Sequence, residues 1–248
     1  MTRTLALVGA LLFLVGCGAS STPAQTTVAH ARPRTEPAVA QPDEPAAEPA
    51  PRMAFSGLTG SLTTRDAHTA LDPRMGEFAS CFHEHSSGAR VAGLGGEVRL
   101  HIIVAIDGHV RAAFPEDSTV GHRDVERCLV EVAEATRFPR PRGGGEATLT
   151  WPIAMDPPHD VRHPRTWDAS RVASVVERHG ADVLAQCRPN GGAHIQVTAY
   201  TRRGRVIAAG AATDDESGRG SLDCVVERIR GWTMPATQRT AKVTFDLG

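Results

Sequence analysis

Apolar and polar residues alternate along one stretch in the first half of the chain. The alternation has the two-residue period of a half-buried strand, and a second such stretch begins at Val110. Both strands stay on one face of a sheet only if the turn holds an odd number of residues. Residues 106–108 therefore predict a three-residue turn with Gly108 left-handed. The apolar positions of the first strand are Val98, Leu100, Ile102, Val104 and Ile106.

Helical spacing of apolar residues flanks this predicted hairpin on both sides. The earlier helix is interrupted at Asp72-Pro73, where aspartate suits a helix cap and proline suits the first position of a new segment. The later helix begins near Asp124, and a closing strand follows at 147–153. The predicted order is helix, strand, strand, helix, strand. The buried face of the later helix is Val125, Cys128, Leu129 and Val132.

The second half of the chain repeats this pattern. Several residue pairs align at a single offset without a gap, which predicts two related copies of one fold. In the second copy Ile195, Val197 and Ala199 are out of phase, and a bulge or a different turn would restore the phase. The aligned pairs are Cys128 with Cys224, Asp107-Gly108 with Arg203-Gly204 and Phe138-Pro139 with Met234-Pro235; with shortened spacers, Cys81 aligns with Cys187 and Trp151-Pro152-Ile153 with Phe245-Asp246-Leu247.

These patterns predict an α+β fold of two tandem repeats, at residues 53–156 and 166–248, joined by a proline-marked linker at 157–165. In the second repeat, Asp168 or Ser170 is the expected cap of the first helix. The buried positions of the two helices are Val172, Val176, Val183 and Leu184 in the first, and Leu222, Val225, Val226 and Ile229 in the second.

The N-terminal residues predict export and lipidation. Residues 1–16 read as a signal peptide whose apolar run, from Leu5 to Val15, is too short to span a bilayer as a helix. Leu14-Val15-Gly16-Cys17 is a lipobox, so Cys17 is the predicted lipid anchor. Gly18 follows it, which favours the periplasmic face of the outer membrane. Residues 17–52 are rich in proline and alanine and predict a disordered linker that reaches on the order of 100 Å.

Composition excludes several classes of function. The formal net charge is −1, so nothing draws the chain to nucleic acid. One tyrosine and three tryptophans argue against a platform that stacks sugars. Lys242 is the single lysine in a chain otherwise rich in arginine, which indicates a coding bias and discounts arginine clusters as binding sites.

The four cysteines beyond Cys17 occupy matching positions in the two repeats. In an oxidising periplasm they predict the disulfides Cys81–Cys128 and Cys187–Cys224, each closing a loop of about 40 residues. A metal site and a redox pair are the alternatives. Neither repeat contains Cys-x-x-Cys, and the long spacings favour structural disulfides.

Two histidine clusters have the composition of a metal site. In His83-Glu84-His85 the imidazoles lie two residues apart on a helix and point in different directions. His159-Asp160-Val161-Arg162-His163 is surrounded by prolines, which disfavour the helix that would align its imidazoles. The sequence therefore predicts no metal and no cofactor.

Two further segments invite a comparison with phosphate sites. The run 137–142, Arg-Phe-Pro-Arg-Pro-Arg, precedes three glycines and would suit an anionic headgroup, but a solvated loop is the favoured interpretation. Gly93-Leu94-Gly95-Gly96 precedes a strand, so it lacks the strand-loop-helix context of a phosphate loop. No Gly-x-Ser-x-Gly elbow and no Walker pattern occurs in the sequence, and the prediction is a protein that is not an enzyme.

A set of motifs in the first repeat resembles a known family. These motifs are Cys81, Gly96-Glu97-Val98, Asp107-Gly108-His109-Val110, Ser118-Thr119, Cys128, Arg137-Phe138-Pro139 and Trp151-Pro152. Together they resemble the C-terminal domain of TonB, and more closely the disulfide-bearing AgmX/PglI C-terminal domains, over roughly residues 55–156 with a degenerate copy from about 166. The resemblance implies an α+β sandwich that makes protein contacts in the Gram-negative envelope, where TonB adds a strand to receptors. A lipobox in place of an inner-membrane helix argues against energy transduction.

The expected function is therefore that of a non-catalytic interaction or scaffold module, lipid-anchored through Cys17. Each repeat should form a three-stranded open sheet that recruits a strand of another envelope protein along its closing strand, Ala147–Ile153 or Ala241–Leu247. Proline at Leu149 or Val243 is the expected probe of that edge. Alternatively, the repeats pair edge to edge. A cell-wall or glycan binder, a transport accessory and a metal-dependent enzyme are the other functions considered.

Overall fold

The structure of the protein is a computed structural model that describes residues 55–57, 60–86, 91, 93–157, 161–187 and 192–247. These residues belong to one compact unit, Pro49–Gly248. Residues 1–52, which hold the predicted signal peptide, Cys17 and the linker, lie outside the described residues. No helix within the described ranges is long and apolar enough to cross a membrane.

The part of the chain predicted as the first repeat begins with a short strand that precedes its helices. A capping box starts α1: the Thr63 hydroxyl accepts a hydrogen bond from the Asp66 amide, and the Asp66 carboxylate accepts one from the Thr63 amide. The predicted break at Asp72-Pro73 is a 3₁₀ turn, Asp72–Arg74. The elements are β1 (Phe55–Gly57), α1 (Thr64–Leu71), α2 (Met75–Ser86), β2 (Gly96–Val104), β3 (Val110–Ser118), α3 (Arg123–Glu134) and β4 (Ala147–Met155).

The second repeat has a similar order of elements. Asp168 caps the 3₁₀ turn Ala169–Val172, which leads into the first helix, so the predicted cap lies at the start of this turn. A longer 3₁₀ segment, Glu216–Ser221, precedes the last helix. The elements are β5 (Arg165–Trp167), α4 (Ala173–Cys187), β6 (Ile195–Arg202), β7 (Arg205–Thr213), α5 (Leu222–Arg230) and β8 (Ala241–Leu247).

Each repeat forms a four-stranded sheet within the described residues. The strand orders are β1-β4-β2-β3 and β5-β8-β6-β7, so corresponding strands occupy corresponding positions. The prediction of three strands per repeat was wrong. Three-residue strands pair with the beginning of each closing strand, β1 antiparallel to Ala147–Leu149 and β5 parallel to Ala241–Val243.

The two hairpins have different turns, which explains the phase difference between the repeats. In the first hairpin Ala105 pairs with His109 across the predicted three-residue turn, and Gly108 has a φ of +89°. In the second hairpin two residues, Arg203 and Gly204, make the turn with φ of +52° and +76°. A register shift follows between residues 200 and 201. Ile106, predicted on the buried face, lies at the turn and is 59% exposed.

Helices cover one face of each sheet, and each helix pair is joined by a disulfide. The bonds are Cys81–Cys128, between α2 and α3, and Cys187–Cys224, between α4 and α5. This is the pairing that the matching cysteine positions predict. The largest core side chains of the first repeat include Phe78, Leu100, Ile102, Leu129 and Trp151, and those of the second include Ile195, Val197, Val225, Ile229 and Phe245.

Candidate functional site

The two repeats meet at the outer face of the second sheet. Every residue from Ala208 to Ala212 in β7 is alanine or glycine, so the backbone of this strand closely approaches the first repeat. Both β3 and α3 contact β7. Tyr200, from β6, belongs to the core cluster of the first repeat. The interface therefore holds the repeats together as one unit.

A buried carboxylate lies at the centre of this interface. Glu126, on α3, is 0% exposed. The Ser118 hydroxyl donates to its Oε1 at 2.6 Å, and the Ala211 amide of the other repeat donates to its Oε2 at 3.0 Å. A Cβ on Gly210 would overlap the same carboxylate. Burial raises the pKa of Glu126, although the hydrogen bonds and the Arg123 guanidinium act in the opposite direction.

The raised pKa of Glu126 predicts a pH-dependent contribution to stability. A carboxyl whose pKa is higher in the folded state stabilises fully below its unfolded pKa, and this stabilisation is lost as pH rises through the folded pKa. Glutamine cannot titrate. We therefore expect the free energy of unfolding of the wild type to fall relative to Glu126→Gln as the pH rises from the ordinary range of a glutamate pKa through the raised pKa of Glu126. Urea denaturation of both proteins measures this difference, and a difference that does not vary with pH would contradict it.

Ion pairs surround Glu126 at one side of the interface. The buried Arg123 donates through Nε to Asp223 Oδ1 at 2.7 Å, and Arg127 reaches the same oxygen at 3.2 Å. Arg219 and Glu134 form a further contact between the repeats at 2.6 Å. The side chains of Arg127, Glu134 and Arg219 are partly exposed, so solvent weakens their electrostatic attraction to their partners. Because Arg123 is enclosed by protein, its ion pair with Asp223 contributes most to the orientation of the two repeats.

The inner edges of the two sheets are covered by this interface. Along β3, the Ala113 amide donates to Glu134 Oε1 at 3.4 Å and the Ser118 amide donates to Gln196 Oε1 at 3.2 Å. On β7, Glu126 accepts from Ala211. Edge backbone amides of both strands thus donate to side chains and not to the backbone of a neighbouring strand. These edges are closed to a partner strand.

The outer edge of the first sheet is interrupted by Pro152. The strand β4 extends beyond the part that β1 covers. On its other side it pairs with β2 along its whole length, and Arg99 lies opposite Pro152. Because proline has no N–H, its nitrogen must face away from β2, toward the uncovered side. By alternation, Thr150 and Ala154 also direct their amides outward. The proline removes the donor between them, which disfavours strand addition at this edge.

The outer edge of the second sheet has no such interruption. Residues 244–247 of β8 extend beyond β5 and have no further partner strand among the described residues. Phe245 and Leu247 face the core, as the aligned Trp151 does in β4. Their amides therefore point toward β6, in the same way that the Trp151 amide points toward β2. Thr244 and Asp246 therefore direct their amides outward. Asp246 aligns with Pro152, and this single difference leaves the edge of β8 open.

Leu149 and Val243, the positions at which the sequence suggests a proline probe, are the wrong positions for testing the outer edges. Both face their cores and lie opposite residues of β2 and β6. Each is also covered on its other side by β1 or β5. Proline at either position would remove a hydrogen bond of the sheet itself instead of an outward donor.

A cleft lies between the outer face of the second sheet and the first repeat. It consists of two adjoining cavities of about 510 Å³ and about 640 Å³, both lined by Thr119, Thr166 and Lys242. The first cavity is also lined by Gly95 and Met155. The second extends past Trp167, Asp168 and Thr244 to the beginning of the open edge of β8. We call this space the Lys242 cleft.

Lys242 is held in the cleft by contacts with both repeats. Its Nζ donates to the Gly95 carbonyl oxygen at 2.8 Å and lies 5.7 Å from the centroid of the Tyr200 ring. The Tyr200 hydroxyl donates to the same oxygen at 3.2 Å. Burial lowers the pKa of Lys242 and raises that of Tyr200 to about 12. Among the described residues, no carboxylate lies within 4.0 Å of Nζ.

The predicted anion segment 137–142 has a structural role in the described chain. The Phe138 amide donates to the Gly108 carbonyl, and a Cβ on Gly108 would overlap Phe138 O. The aligned Met234 makes the same bond to Gly204. The three arginines of this segment are exposed. The motif thus fastens each hairpin turn to the chain that follows the last helix of its repeat.

The two histidine clusters are not brought together with further ligands in the described structure. His83 and Glu84 are exposed and His85 is half-buried at the end of α2. His159 and Asp160 lie outside the described residues. No group of three or more histidine, cysteine, aspartate or glutamate side chains within the described ranges is arranged to hold a metal ion.

Sequence reasoning missed the features that connect the repeats. The comparison with a phosphate loop gives Gly95 no role in contacts between the repeats, yet its carbonyl accepts a hydrogen bond from Lys242. The sequence shows both that Lys242 is the single lysine and that it lies at an outward position of β8, but neither fact predicts its contact with Gly95. Glu126 and Gly210 gave a weaker signal: an acid next to a buried helix position and a glycine among four alanines.

Comparison with known proteins adds no relative to this picture. No family model, no curated protein and no solved structure matches the chain.

Proposed function

We propose that this protein is a non-catalytic interaction module of the cell envelope, anchored by a lipid on Cys17, which binds a partner strand along β8. The open edge at residues 244–247 carries the proposal, since among the described residues no strand pairs with it and no proline interrupts its outward backbone donors. Strand addition would supply affinity through backbone hydrogen bonds. The resemblance to TonB C-terminal domains supports the same mode of binding.

The proposed anchor would hold this edge at a distance from the membrane. Cleavage before Cys17 would leave residues 17–52 as a tether with a reach on the order of 100 Å. The outer membrane is the proposed location because glycine follows the lipidated cysteine. A scaffold of this kind can contact partners across much of the periplasm while its two repeats stay together as one unit.

Replacing Cys17 with alanine is expected to release the protein from the membrane. Without the thiol there is no site for the diacylglycerol group, and two or more acyl chains are what makes such anchoring stable. The measurement is fractionation of cells followed by immunodetection, with Cys17→Ala compared with Ser20→Ala, which keeps the lipobox. Equal membrane fractions for both variants would contradict lipidation.

Replacing Asp246 with proline is expected to abolish strand addition and leave the fold intact. The outward donor of residue 246 is lost, whereas the hydrogen bonds between β6 and β8 are kept, and the aligned Pro152 shows that such a strand accommodates proline at this position. A photoreactive residue at Thr244 would report the partner in intact cells, with mass spectrometry to identify it. The crosslink should disappear in Asp246→Pro.

Two matched variants separate the backbone from the side chain. Asp246→Asn keeps the amide donor and removes only the charge that contacts His194, so it should retain the crosslink. Pro152→Thr adds a donor at the equivalent position of β4 and should leave the Thr244 crosslink unchanged. If Asp246→Pro retains its Tm and both disulfides and still gives the wild-type crosslink, strand addition at β8 is wrong.

A further inference from the structure

The Lys242 cleft contains an ammonium group that forms no ion pair among the described residues, since no carboxylate lies within 4.0 Å of its nitrogen. An ammonium has three donors, and the Gly95 carbonyl accepts from one of them. The Tyr200 ring occupies a second direction without accepting a strong hydrogen bond. Keeping a cation partly buried in this way is unfavourable unless something else compensates it. Lys242 is thus equipped to bind an acceptor that enters the cleft.

The hydroxyl groups around Lys242 narrow the position of such an acceptor. Thr198 donates to the Ser118 carbonyl, and its oxygen pairs with the Thr244 hydroxyl at 2.8 Å, so both hydroxyls are occupied. Thr119 bonds to the backbone of Glu97. Thr166 lines both cavities beside Lys242 and is exposed. An anion at the junction of the two cavities would therefore meet the ammonium of Lys242 and the hydroxyl of Thr166.

The charges at the cleft decide which class of anion Lys242 could accept, and among anions they favour one with a single negative charge. Lys242 is its central cation, and the cleft is also lined by the carboxylates of Glu97, Asp156 and Asp168. These carboxylates would repel a phosphate dianion more strongly than a carboxylate ion. The clustered arginines that usually bind phosphate through paired donors do not line either cavity.

The shape of the cleft favours a chain end. Its second cavity passes Trp167 and reaches Thr244, where β5 ends and the open edge of β8 begins. A partner strand that pairs with residues 244–247 would lie on the same side of β8 as β5 and in line with it. If the partner strand runs antiparallel to β8, its C-terminal end is the one nearest β5 and lies beside Lys242. A terminal carboxylate is the one anionic group that every peptide carries at such a position.

We propose that the Lys242 cleft binds the C-terminal carboxylate of a partner peptide through the Lys242 ammonium and the Thr166 hydroxyl. This inference deepens the proposed function, and it rests on strand addition only for the peptide that supplies the carboxylate. Capture of a carboxylate adds a charge-assisted hydrogen bond to the backbone pairing of the edge. It would also select chain ends over internal segments.

The single lysine makes a direct test possible on the full chain. Lysine labelled with ¹³C at Cε gives NMR signals from Lys242 alone, and these signals respond to the charge and surroundings of the ammonium. The probes are N-acetyl-trialanine with a free carboxylate, the same peptide as its C-terminal amide, and inorganic phosphate. We expect the free acid to shift the Lys242 signal saturably, and the amide to bind about tenfold or more weakly.

Matched variants control for non-specific charge effects and for the fold. Arg228→Lys places a second labelled lysine on the exposed face of α5, and its signal should not follow the free acid. Lys242→Met should lose the preference for acid over amide in calorimetric titration. Its fold is expected to persist because the Gly95 carbonyl keeps the Tyr200 hydroxyl as a donor.

The possible outcomes distinguish this inference from strand addition. Loss of the acid preference in Lys242→Met, with wild-type affinity for both peptides kept in Asp246→Pro, would support carboxylate binding and count against strand addition. Weaker binding of both peptides to Asp246→Pro would support both. Equal binding of acid and amide, tighter binding of phosphate than of the acid, or an equal shift of the Arg228→Lys signal would overturn the inference.

Discussion

Replacing Gly210 with alanine is expected to lower the free energy of unfolding by about 3 kcal/mol, although it adds a single methyl group. The added Cβ would overlap the carboxylate of Glu126, which has no free space to move into because it is fully buried. Displacing that carboxylate would leave the Ala211 amide and the Ser118 hydroxyl without their acceptor. Chemical denaturation followed by circular dichroism measures the loss.

Gly220→Ala is the matched control for this substitution. A Cβ at Gly220 has no atom within 4 Å, so the change should alter stability by only a few tenths of a kcal/mol. A double-mutant cycle adds a second check. In a Glu126→Ala background the overlap disappears, so Gly210→Ala should cost markedly less than in the wild type. A cost that stays the same in both backgrounds would show that the close approach of Gly210 to Glu126 does not matter.

Local patterning predicted the interior of each repeat well. Alternation identified β2 and β3 because a strand buries every second residue, and Gly108 revealed its turn because a left-handed position disfavours a side chain. Local patterning failed where a strand was too short to show alternation. The strands β1 and β5 have three residues each, and pairing of such short segments depends on the neighbouring closing strand more than on their own sequence.

The candidate sites were harder to predict because they arise from contacts between the repeats. Glu126 and Ala211 are 85 residues apart in the chain, and Lys242 and Gly95 are 147 apart. Periodicity within one repeat contains no information on which faces of two repeats meet. The same reason explains the wrong choice of edge. The alignment of Asp246 with Pro152 was visible, but its meaning required the direction of each amide in the sheet.

Removing either disulfide is expected to lower the free energy of unfolding by about 4 kcal/mol, a larger loss than that expected for Gly210→Ala. The chain-entropy argument depends on the length of the closed loop, and the two bridges span similar separations of 47 and 37 residues. The variants are Cys81→Ala with Cys128→Ala, and Cys187→Ala with Cys224→Ala. Paired replacement leaves no free thiol, so the loss of the bridge is measured without thiol exchange.

The interface determines how this loss should appear in an unfolding experiment. Because Glu126 bonds to both repeats and Tyr200 is packed into the core of the first, neither repeat can unfold without exposing part of the other. Each paired variant should therefore unfold in one transition at a lower denaturant concentration, whichever bridge is absent. Two separate transitions, with only the altered repeat shifted, would show that the repeats are energetically independent. A single transition would mean that the binding site at β8 is lost when either repeat unfolds, so partner binding depends on the stability of both repeats.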